Sequence, residues 1–114
     1  MKHLNEFLME AENQARKQRY QKIAKILDKA ILNKKFDSRT SREIQRLNDL
    51  CVLAAHHIDD ANEFAIQAKA FPGDAAAQKE AIDLRNEADK ICLLADKKIA
   101  RMAPSLASQN VHLT

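Results

Sequence analysis

Between residues 44 and 68 apolar side chains return every three or four positions: Ile44, Leu47, Cys51, Ala54, Ile58, Ala61, Ala65 and Ala68. That spacing keeps one face of an α-helix apolar and marks a seam of the a/d kind used in coiled coils. A second stripe, Ala77, Ala81, Leu84, Ala88, Ile91, Ala95 and Met102, repeats it with one interruption at Lys98. Only "FPGD", residues 71–74, separates the two, so the helices must turn back on each other as an antiparallel hairpin. Gly73 is expected to take a left-handed conformation there, and Asp74 to cap the following helix. Alanines crowd the seam near the turn, where backbones can approach closely, and larger residues fill the far end. An alanine seam buries little, at roughly 0.8 kcal/mol per CH₂ group, so the hairpin needs further cover.

The segment from about Leu4 to Leu32 is the natural cover, but its pattern is uneven. Ile23, Ile26, Leu27, Ala30 and Ile31 form one stripe; Leu4, Leu8, Ala11 and Ala15 form another, centred roughly 120° away. Arg16 and Arg19 stand between them on the face that apolar residues should hold. A bend or break is expected near residues 16–19, or else a first half that packs against something different. The connection "NKKFDSRTS" offers a capping box, Thr40 with Glu43 three residues on, which starts the second helix at Ser41 and carries it to about Ala70. The third helix is expected to end near Met102, because Pro104 lacks the amide that would continue it. The expected fold is all-α: an antiparallel bundle of three helices of about 40–45 Å each, with oligomerisation as one way to complete its core. Residues 1–103 form the bundle domain and 104–114 a flexible C-terminal tail.

Composition narrows the function. One glycine, two prolines and five aromatic residues in 114 leave no glycine-rich phosphate loop or dinucleotide fingerprint. Cys51 and Cys92 lie in apolar runs without a CxxC neighbour, which reads as buried thiols in a reducing compartment. Glu6 and Glu10 interrupt any signal-peptide core, and "LCVLAA" (50–55) and "ICLLA" (91–95) are far too short to span a bilayer. A cytoplasmic protein that uses no membrane is expected, with no cofactor.

The stretch "AAHHIDDANE", residues 54–63, looks most like chemistry. With Ile44 at a and Leu47 at d, His56 and Glu63 fall at f, Asp59 at b and Asp60 at c, all away from the hairpin seam. His56–Asp60 is then an ordinary i,i+4 surface pair. A metal site on His56, Asp60 and Glu63 would lack supporting partners, and Asp59 and Asp60 would repel a phosphoryl group arriving at His56. His57, at g, is expected to meet Glu87 across the hairpin. No nucleophile stands beside either histidine, so the reading is of a non-enzyme without catalytic or metal-binding residues.

Two features exceed the needs of a hairpin. Val52 and Leu53 make the second helix apolar all round, level with Leu93 and Leu94 on the third, and Leu50 adjoins them. This belt is either covered by the first helix or is a contact surface. The contact reading gives a helical adaptor, chaperone-like or regulatory component that associates with a protein partner or with itself. Leu50, Val52, Leu53, Leu93 and Leu94 are its contact residues, and Leu4, Phe7 and Leu8 a second element. The other feature is basic. Residues 1–57 hold twelve Lys/Arg against seven Asp/Glu, and residues 58–114 seven against nine. Lys22, Lys25, Lys29, Lys34, Lys35 and Arg39 would carry the alternative, nucleic-acid binding, although only Tyr20 and Phe36 are nearby for base stacking.

Overall fold

A computed structural model describes residues 2–113, with side chains from Glu12 to Leu113. It contains three helices, α1 (Lys2–Asn33), α2 (Ser38–Ala70) and α3 (Ala75–Ser108), in a rod of 55 × 25 × 21 Å. The three-helix bundle read from the repeats is the observed fold. α2 lies against both neighbours, whereas no Cα of α1 comes within 8 Å of one of α3 among the described residues.

That spacing explains Arg16 and Arg19. α1 neither breaks nor stops at them; it runs continuously from Lys2 to Asn33. Arg16 reaches Asp89 at 3.4 Å and Arg19 reaches Asp96 at 3.0 Å, so these long side chains bridge the gap to α3. Beside them Tyr20 is fully buried, and its hydroxyl donates to Asp96 at 2.8 Å, with the Cys92 carbonyl 3.4 Å away. The Arg19 guanidinium also lies 5.4 Å from the centre of the Tyr20 ring, a cation–π contact.

The core is one cluster in which Tyr20, Ile23 and Leu27 of α1 meet Ile44, Leu47, Cys51 and Ile58 of α2. The α2 stripe is buried as expected, except for Ala65, which is exposed. On α3 the buried line is Ala88, Cys92, Ala95, Ile99 and Leu106. It is turned toward α1 relative to the expected stripe, leaving Ile91 and Met102 partly buried at its edge. Among the described residues Asn48 is the one buried polar residue and donates to Asp28 of α1, and none of their buried side-chain nitrogens or oxygens lacks a partner.

Two helix boundaries and the conformation of the hairpin turn differ from the expected ones. The cap of α2 is Asp37, whose carboxylate accepts from the Thr40 amide at 2.6 Å; the helix therefore starts at Ser38, three residues early. Glu43, freed from the capping box, accepts from Lys98 at 2.8 Å, which is how the seam tolerates that lysine. At the hairpin Asp74 caps α3 as expected, accepting from the Ala77 amide at 3.1 Å. Gly73, however, is not left-handed; Gln78 closes the turn by donating to the Ala68 and Phe71 carbonyls.

Pro104 does not end α3. The helix passes through it to Ser108, and Leu106, Val111 and Leu113 are buried in the core. The expected division at 103 and the flexible tail are therefore corrected for residues 104–113. A proline inside a helix costs about 3 kcal/mol, and burying three large apolar side chains, each contributing about 1.5–3 kcal/mol, outweighs it. The true stop is Asn110, which is left-handed at φ 64. Its amide donates to the Ala107 carbonyl and that of Val111 to the Leu106 carbonyl, the two bonds of a Schellman motif. Val111 and Leu106 provide the apolar contact that accompanies this motif.

Candidate functional site

The belt residues are exposed at mid-rod. Val52 is 55 % accessible, Leu53 41 %, Leu93 55 % and Leu94 53 %, while Leu50 is half-buried against the core. α1 passes on the inner side, where Tyr20 and Ile23 are consumed by the core, and does not cover them. Each half-exposed leucine forgoes about half of the roughly 1.5–3 kcal/mol that full burial would contribute.

The belt is not one stripe. Val52 borders a shallow groove between α1 and α2 with Gln21, Ala24, Lys25, Ala55, His56 and Asp59. Leu53 follows about 100° further round α2 and faces away from that groove. On α3, Leu93 lies one turn beyond Asp89, the partner of Arg16, and so leans toward α1. The Glu43–Lys98 pair marks the outer edge of the α2–α3 seam, and two turns along each helix bring Leu50 and Ile91 to the same edge. Leu53 and Leu94 flank these two. The outer side of the hairpin therefore gathers Leu50, Leu53, Ile91 and Leu94, and separates them from Val52 and Leu93. The side chains of Leu4, Phe7 and Leu8 lie outside the described ones. Exposed Ile66, Phe71 and Ile82 near the hairpin turn were not expected as contact residues. Their only sequence signal is an apolar residue off the repeat.

The histidine stretch is a surface. His56 Nε2 lies 3.5 Å from Asp60 Oδ2 with the His56 side chain largely in solvent, while Asp59 turns to α1 and pairs with Lys17 at 2.7 Å. No hydrogen bond or ion pair joins His57 to Glu87 among the described residues; the His57 ring instead stands edge-on to His56, with centroids 6.4 Å apart. Also among the described residues, no three His, Cys, Asp or Glu side chains converge as metal ligands, and no helix is long and apolar enough to cross a membrane. Cys51 and Cys92 are free and buried, and burial pushes the Cys51 thiol up to about 11, away from nucleophile chemistry.

The basic residues separate into two sets. Arg16, Lys17, Arg19, Lys98 and Arg101 are tied to acids of neighbouring helices. Lys22, Lys25, Lys29, Lys35 and Arg39 are exposed and make no ion pair among the described residues, although Arg39 is near enough to Asp37 to favour its charged form. Lys34 donates to the Gln109 carbonyl at 2.6 Å. The acids of that end are occupied: Asp28 accepts from Asn48, Asp37 caps α2 and Glu43 holds Lys98.

The class defined by these features is an all-helical bundle with an apolar mid-section and a charged surface. The chain matches no protein-family model, no curated protein and no solved structure.

Proposed function

We propose that the chain works by helix-mediated association with a protein surface, as an adaptor, chaperone-like or regulatory component rather than an enzyme. The supporting observation is the exposure of Leu53 and Leu94 together at mid-rod on the outer side of the α2–α3 hairpin. Large apolar side chains collected at one height on a charged rod gain most by being covered. The test replaces both, Leu53→Asp with Leu94→Asp, in the full chain. Helicity by circular dichroism should be unchanged. Associations of the wild-type chain, with itself by light scattering or with proteins held on it as bait, should be lost. A variant that keeps every wild-type association sinks the reading, and one that loses its helicity makes the belt core.

A second reading, binding to nucleic-acid phosphates, is favoured by the exposed cations Lys22, Lys25, Lys29, Lys35 and Arg39, which make no ion pair among the described residues. The supply of stacking side chains beside them is thin: Tyr20 is buried and Phe36 packs against the core.

A further inference from the structure

We infer that the partner of the outer α2–α3 face is a second copy of this chain, laid antiparallel across the first. This rests on the association reading above and adds to it the identity and orientation of the partner.

The argument is one of charge placed symmetrically about the apolar centre. Leu53 and Cys92 lie at equal chain distances from the middle of the 71–74 turn, hence at one height in the hairpin. On α2, Arg46 and Asp60 stand seven residues before and after Leu53. Seven residues are two turns less about 20°, so all three share one face, the charges about 10 Å to either side of the leucine. On α3, Asp83 and Arg101 stand nine residues before and after Cys92, and each lies within about 20° of Leu94 round the helix. All four charged residues reach solvent: Arg46, Arg101 and Asp83 are exposed and Asp60 half-exposed. Asp49 and Lys90, also exposed, lie nearer the centre, within about 40° of Leu53 and Leu94 round their helices. It is therefore the outer charges of the face that are basic at one end, Arg46 with Arg101, and acidic at the other, Asp60 with Asp83.

A face of that kind complements itself. A two-fold axis crossing the hairpin at right angles to the helices, at the height of Leu53, places α2 on the partner's α2 and α3 on the partner's α3, each pair antiparallel. The apolar centres then meet. Arg46 comes level with the second copy's acidic position 60, Arg101 comes level with its position 83, and the symmetry repeats both pairings. A parallel arrangement would set like charges together at both ends. Among the described residues nothing competes strongly for these groups. Arg46 and Arg101 are 3.2 and 3.7 Å from Glu43, which is already held by Lys98; Asp60 has only the 3.5 Å contact to His56; Asp83 has no ion pair among the described residues. A rod 55 Å long and 21–25 Å across has room along one side for the roughly 800 Å² that each partner gives to a stable interface.

The experiment is analytical ultracentrifugation of the full chain over a wide concentration range, with three variants: Arg46→Glu, Asp60→Arg, and the two together. All the changes are at solvent-accessible positions, and circular dichroism checks that each variant folds. The wild-type chain should sediment as two chains and dissociate on dilution. Each single reversal should weaken the dimer by about tenfold, since each turns two symmetric attractions into repulsions, and the double variant, which restores both pairings with signs exchanged, should return to within about threefold of wild type. A mass of one chain at every concentration overturns the second copy as partner, while the association reading is then judged separately by the Leu53/Leu94 variant against other proteins. A dimer indifferent to the reversals, or one whose double variant is weaker than either single, overturns the antiparallel arrangement and leaves apolar self-association standing.

Discussion

The Tyr20 hydroxyl donates to the Asp96 carboxylate at 2.8 Å across a gap that the backbones of α1 and α3 do not close. Burial, then the hydrogen bond to Asp96, raises the Tyr20 pKa well above its ordinary value. A folded-state pKa above the unfolded one contributes stability that is complete below about 10 and is lost as pH rises beyond it. Tyr20 is the sole tyrosine and there is no tryptophan, so tyrosinate absorbance reads this one group. Its titration should begin only as circular dichroism reports unfolding, and a midpoint near 10 in the folded chain would remove Tyr20 from the seam. Tyr20→Phe should cost about 1 kcal/mol, with Arg19 remaining to hold Asp96.

Glu43 gives the opposite sign. The hydrogen bond from Lys98, and then its charge, hold the Glu43 carboxyl below its usual range; the Thr40 amide does the same for Asp37. Depressed carboxylates contribute stability above their unfolded pKa and lose it as pH falls through the folded one. Chemical denaturation should therefore give a constant midpoint from neutral pH to about pH 5, and a falling one below about pH 4. In Glu43→Gln the fall should be shallower. An unchanged slope would mean that the Lys98 contact does not persist in solution.

How much of this was legible depends on where the partner of each residue lies. The α2 stripe and the hairpin follow from local periodicity and a four-residue turn, and both appear as read except at Ala65, which is exposed, and Gly73, which is not left-handed. Arg16 and Arg19 looked like a fault because their partners, Asp89 and Asp96, are more than seventy residues away on a helix whose rotation no local pattern reports. Thr40 and Asp37 are both competent caps within one turn, and Glu43 would have decided for Thr40 had Lys98 not claimed it. Pro104 is a true helix-breaking signal overridden by Leu106, Val111 and Leu113. The apolar belt was legible as an excess, but its division between Leu53/Leu94 and Val52/Leu93 needed the positions of all three helices.

The end of α3 offers a test of that override. Leu106→Ala should cost about 2–5 kcal/mol, as for other fully buried leucines, measured by urea denaturation. A flexible tail would leave stability unchanged. Asn110→Val should be destabilising by about 1 kcal/mol and Asn110→Gly neutral or slightly stabilising, because only the first strains a left-handed backbone.

Gly73 provides the converse. Its backbone is not left-handed, and a Cβ built on it meets nothing within 4 Å. Gly73→Ala should therefore raise stability by about 0.4–1 kcal/mol, chiefly by restricting the unfolded chain. A loss of that size would show that the turn needs the glycine after all.

The exposed basic end separates the two functional readings. Lys22, Lys25 and Lys29 lie on the solvent side of α1, and Lys35 and Arg39 continue the charge into the connection to α2. If this surface binds nucleic acid, a fluorescent duplex should bind at about 50 mM salt and lose most of its affinity by about 200 mM, through release of counterions from roughly five phosphates. Lys25→Glu with Lys29→Glu should flatten that salt dependence without altering the mass of the chain in solution. Leu53→Asp with Leu94→Asp should do the reverse, changing self-association and leaving the salt slope alone. Lys25 and Lys29 are on α1 and Leu53 and Leu94 on the α2–α3 hairpin, so independent responses to these two pairs of substitutions are expected. Arg39, seven residues before Arg46 on α2, borders both surfaces. Absence of binding at the lower salt eliminates the nucleic-acid reading and leaves these cations as a solvated face.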